Sequence, residues 1–67
     1  MDKESYDQMI KDSDMIFTQV STSALENMAE ANRIVCQLYI PDMSISRSGI
    51  SHALKRLEKH YEGQGNR

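Results

Sequence analysis

The 67-residue chain has one cysteine, Cys36, so an internal disulfide is excluded. Neither Cys36 nor the two histidines, His52 and His60, fall at zinc-ligand spacing, and no structural metal is expected. Tryptophan is absent and phenylalanine occurs once, which leaves little aromatic bulk for a core. The three glycines form no phosphate-cradling loop. No apolar run exceeds four residues, against the ~20 that a membrane-spanning helix needs. Residues Met1–Ser5 are polar and acidic, without the apolar centre of a signal peptide, and a lone thiol suits a reducing compartment. The expectation is a cytoplasmic protein without a membrane partner.

What is present is short and charged. Sixty-seven residues allow one domain, residues 1–67, and exclude enzyme folds built on a large sheet, a barrel or a separate cofactor domain. A chain this long buries only about 60% of its unfolded surface, so self-association is expected to supplement its core. The net charge of −2 hides an asymmetry. Residues 1–30 carry seven acidic against two basic side chains, whereas residues 31–67 carry six basic against three acidic. Either the halves attract one another, or the basic half faces an anionic partner.

Apolar spacing predicts an all-α fold of three helices, roughly 4–18, 24–39 and 46–62, with frayed ends at 1–3 and 64–67; a helical hairpin is the alternative. Tyr6, Met9, Ile10, Ile16, Phe17 and Val20 form one stripe, with Ser13 where a seventh apolar residue would stand. The β-branched and hydroxyl cluster Thr18–Ser23 favours a break. Ser23 and Glu26 have capping-box spacing, which predicts a second helix starting near Ala24. Its apolar set (Ala24, Leu25, Met28, Ala29, Ala31, Ile34, Val35, Leu38 and Tyr39) is wide enough to be largely buried, with Cys36 as an inert filler. Pro41 ends it. The third helix takes Ser44 or Ser46 as N-cap, buries Ile50, Ala53, Leu54, Leu57 and Tyr61, and has Gly63 available as a left-handed C-cap.

Catalysis finds no support in these patterns. His52 and His60 lie eight residues apart, about 12 Å along a helix, and cannot share a metal or a proton. No nucleophile–base pair follows from spacing. The expectation is a non-catalytic binding protein without cofactor, metal or small-molecule substrate.

The stretch Ser46-Arg47-Ser48-Gly49-Ile50-Ser51-His52-Ala53-Leu54-Lys55-Arg56-Leu57-Glu58-Lys59-His60 resembles the recognition helix of LysR-type and MarR-type transcription regulators. Those families share its small-residue start, its serine-spaced first turns and its "Lys-Arg-Leu-Glu" run. The resemblance implies a helix-turn-helix-like, dimeric DNA-binding protein acting in transcription regulation. In that case Arg47, Ser48, Ser51 and His52 enter the major groove, and Lys55, Arg56 and Lys59 approach phosphates.

A second reading is an adaptor, chaperone or anti-regulator that offers helical faces to another protein. Tyr6, Met9, Ile10, Ile16, Phe17 and Met28 are its expected interface, in a homodimer or against a partner. Met9, Met28 and Met43 add flexible thioethers on or near apolar faces. Charge placement discriminates the two: cations of the third helix that face the acidic first helix are lost to DNA.

Overall fold

A computed structural model describes residues 2–23 and 27–65, with side chains as far as Glu62. Three helices account for most of it: α1 (Lys3–Ser23), α2 (Met28–Leu38) and α3 (Arg47–Gly65). The fold is all-α, as the apolar spacing predicts.

Helix α1 starts earlier and ends later than its stripe predicts. Asp2 caps it, its carboxylate accepting the Ser5 amide at 2.7 Å. At the other end the hydroxyl cluster stays helical. Thr22 and Ser23 donate back to the carbonyls of Thr18 and Gln19, at 2.8 and 2.7 Å. Val20, 1% exposed, is anchored in the core within the same stretch. Back-bonding and one buried valine outweigh weak local propensity. Ser23 therefore closes α1 and does not cap α2. The cap of α2 is Asn27, whose side chain accepts the Glu30 amide at 2.9 Å. The rest of the expected capping box, with Ala24 and Leu25, lies outside the described residues.

Helix α3 takes Ser46 as N-cap: its hydroxyl accepts the Gly49 amide at 3.1 Å. The helix continues through Gly63 to Gly65, and no described glycine has positive φ. Gly63 is thus an interior position and not a left-handed cap.

Asp12 and Ser13 of α1 meet Ser46 and His52 at the start of α3, while Phe17 meets Arg56 and His60 further on. The two helices therefore run side by side in the same direction. The chain between them returns to the end where α3 begins. The first two turns of α1, residues 3–8, reach beyond the start of α3 and are exposed throughout.

The core holds Ile16 and Val20 of α1, Ala31 and Val35 of α2 with Tyr39 behind them, and Ile50, Ala53, Leu57 and Tyr61 of α3. Each large aliphatic side chain buried there contributes about 1.5–3 kcal/mol. Gly49 lets α3 approach α1 closely. A Cβ there would stand 2.6 Å from the Asp12 Cβ and 2.7 Å from the Ser46 Oγ.

Helix α2 departs most from expectation. Only Ala31 and Val35 of it are buried, Met28 and Ile34 are partly covered, and Ala29, Cys36 and Leu38 are exposed. Its apolar set is wider than the surface that α1 and α3 offer it. Cys36 is accordingly a surface thiol and not a core filler.

Candidate interaction surface

A polar cluster fixes which face of α3 is free. Ser13 fills the gap in the apolar stripe of α1 and is fully buried. Its hydroxyl lies 2.7 Å from the His52 Nδ1 and accepts from the Arg56 Nη1 at 3.2 Å. A hydroxyl has one proton and two lone pairs, so Ser13 can accept from Arg56 and still pair with the His52 Nδ1. Arg56 also donates to Asp14 at 2.5 Å and stacks over the Phe17 ring, 4.5 Å from its centroid. A serine and a histidine in hydrogen-bond contact have the elements of a nucleophile–base pair. Here the serine is sealed in the interface and held by Arg56, so the pair acts as a structural bond.

Asp12 completes the cluster one residue earlier. It is 5% exposed and accepts from the Ser46 amide at 2.9 Å and from Gln8 at 2.9 Å. Burial pushes its pKa up, but the hydrogen bonds from Ser46 and Gln8, with nearby Lys11, outweigh it and hold the carboxyl below its usual value. An α1 carboxylate thus binds the N-cap amide of α3, the service that a capping-box glutamate performs within one helix.

These contacts split the seven expected DNA-facing residues. His52 and Arg56 are turned into α1, and Arg56 is committed to Asp14. Arg47, Ser48, Ser51, Lys55 and Lys59 are exposed. None of the three exposed cations joins an ion pair among the described residues, where the bridges are Arg56–Asp14 and Arg33–Glu30. Glu58 and Glu62 share the exposed side of α3 with them.

The expected protein interface is divided as well. Ile16 is fully buried in the core of a single chain and offers nothing to a partner. Phe17 and Met28 are partly buried against that core. Met9 and Ile10 are half-buried, and Tyr6 is 52% exposed on the overhanging turns of α1.

The surface that sequence reasoning missed lies between α3 and the segment made by α2 and the connector after it. A groove of about 270 Å³ is lined by Ile40, Arg47, Ile50, Ser51 and Leu54. It adjoins a second hollow of about 220 Å³ that shares Ser51 and Leu54 and is bounded by Met28, Asn32, Lys55 and Glu58. Leu38, Ile40 and Met43, at 63, 53 and 96% exposed, extend the apolar character along the end of α2 and the connector. Three large apolar side chains are thus open within six residues of chain, and one of them, Ile40, lines the groove. The available signal was the excess width of the α2 apolar set, which exceeds the half-cylinder that a three-helix packing covers.

Among the described residues no helix is long and apolar enough to cross a membrane. The chain matches no protein-family model, no curated protein and no solved structure. The likeness of residues 46–60 to transcription regulators therefore rests on those residues alone.

Proposed function

We propose that this protein is a non-catalytic interaction module whose binding site is the groove that α3 forms with α2 and the connector after it. Its occupant is an amphipathic helix of another protein, with acidic residues beside its apolar stripe. The observation that carries this reading is the exposed Ile40 lining the groove beside Ile50 and Leu54, with Leu38 and Met43 exposed close to it in the chain. Arg47 and Lys55, exposed on its rim without an intramolecular ion pair among the described residues, supply the charge preference. Helix-in-groove recognition seats the apolar face of an amphipathic helix on an apolar floor of this kind.

The test places a photo-crosslinking residue at Ile40 or at Lys59 and compares adducts in extract of the native cell. A defined adduct at Ile40, absent at Lys59 and lost on adding Leu38→Asp and Met43→Asp, is expected. Equal labelling at both positions, or labelling indifferent to the two aspartates, would overturn the reading.

A second reading is DNA binding, favoured by the exposed Arg47, Ser48 and Ser51 in the first turns of α3. It has lost Arg56 to the first helix, and two glutamates share its face. Retention of mixed-sequence duplex DNA at ~150 mM salt, abolished by Arg47→Ala with Lys55→Ala, would favour it over the groove.

A further inference from the structure

The overhanging part of α1 carries a second surface, independent of the groove. Lys3, Asp7, Ile10 and Asp14 follow one another at helical spacing along one face, with Tyr6 and Lys11 on its two flanks. Five of these six, Lys3 excepted, line a shallow concavity of about 560 Å³. The helix is well begun, with Asp2 as cap, yet residues 2–8 touch too little of the fold to be covered. A helix end this short is marginal unless something packs on it.

We propose that this face pairs with the same face of a second copy, the two α1 helices running antiparallel about a two-fold axis. The charge order along the helix carries the argument. An antiparallel register that sets Lys3 opposite the partner's Asp14 also brings Lys11 beside the partner's Asp7, and Tyr6 beside the partner's Ile10, each within one residue. The two-fold axis repeats every pair, as an isologous contact demands. A parallel pairing sets each of these charges beside its own kind. Asp14 remains available because its side chain is 60% exposed despite its bond to Arg56. Steric room follows from the overhang: α3 begins only at the level of Met9 and Asp12, so each bundle stands where its partner contributes bare helix.

The contact is small, below the ~1,200 Å² of a standard interface, so association is to be read over about 1–500 µM. Light scattering and sedimentation should show a monomer–dimer equilibrium that weakens at high salt. Lys11→Glu and Asp7→Lys, both at exposed positions, should each lower the association constant tenfold or more with helicity unchanged. Mixing the two variants should restore dimers, now mixed, because the substituted positions then face each other with opposite charge. A wild-type chain that stays monomeric across the range, single variants that associate as tightly as wild type, or a mixture that remains monomeric would each overturn the proposal.

Discussion

Replacing Gly49 with alanine probes the contact on which the whole arrangement turns. A helical glycine is ordinarily improved by alanine, by up to about 1 kcal/mol. At Gly49 the added Cβ would meet the Asp12 Cβ at 2.6 Å, the Ser46 Oγ at 2.7 Å and the Met9 carbonyl oxygen at 3.2 Å. Two of these neighbours belong to the backbone or sit directly on it, so they yield only if α1 and α3 move apart. Overpacking of this kind costs about 1–3 kcal/mol. Separation also lengthens the bond from the Ser46 amide to the buried Asp12 carboxylate, worth about 1.5–3 kcal/mol as a charge-assisted bond. The net expectation is a loss of about 1–3 kcal/mol, from a total of only about 3–10 kcal/mol for a domain of this length. Urea unfolding followed by far-UV circular dichroism would show this as a lowered midpoint, and heating as a fall of about 4–8 °C per kcal/mol. Ser48→Ala, on the exposed neighbouring residue, serves as the control and should leave stability unchanged or slightly raised. A Gly49→Ala chain as stable as wild type would mean that the two helices do not meet there, and the polar cluster would lose its geometry with them.

Further expectations concern single side chains. Cys36 lies on the surface, so a maleimide should label the native protein at a rate close to that of the urea-unfolded chain; protection of a hundredfold or more would place it in the core. Ser13→Ala strands the His52 Nδ1 and an Arg56 N–H in the interface and should cost about 1–3 kcal/mol in chemical unfolding. Leu57→Ala, at a fully buried position, should cost about 2–5 kcal/mol in the same assay. The Asp12 carboxyl has a folded pKa below its unfolded value, so its stabilising share is full above about pH 4 and is lost as pH falls through the folded value. Asp12→Asn should therefore be less stable than wild type at pH 7, and the gap should close below pH 3. A gap that persists to pH 2 would assign the effect to packing.

Ser13 shows how much of the polar cluster was open to reading from the chain. A periodic stripe with one hydroxyl in an apolar place marks where a helix buries a polar contact. It does not name the partner, because His52 and Arg56 lie 39 and 43 residues away and only the parallel alignment of α1 and α3 brings them in. The stripe of α3 was legible for a different reason. Ile50, Ala53, Leu57 and Tyr61 sit at strict helical spacing and pack on one neighbour, so period and burial coincide. Thr18–Ser23 misled because local propensity is worth tenths of a kcal/mol, whereas burying Val20 is worth more than one.

Helix α2 carries the lesson that bears on function. Nine apolar residues in its stretch read as a buried helix, and Cys36 as its filler. Periodicity reports how much apolar surface a helix has, but burial depends on how much its neighbours can cover. In a chain of 67 residues, α1 and α3 spend most of their apolar faces on each other, and α2 keeps Leu38 outside with Ile40 and Met43 beyond it. The mismatch between apolar width and available cover is thus the sequence-level trace of the groove. It becomes readable only when the core is apportioned among all three helices. Charge follows the same rule: the basic balance of residues 31–67 marked α3 for an anionic partner, yet one of its cations is taken by Asp14 within the fold. What a surface offers to a partner is the remainder after the fold has satisfied itself, and here that remainder is an apolar groove edged by Arg47 and Lys55.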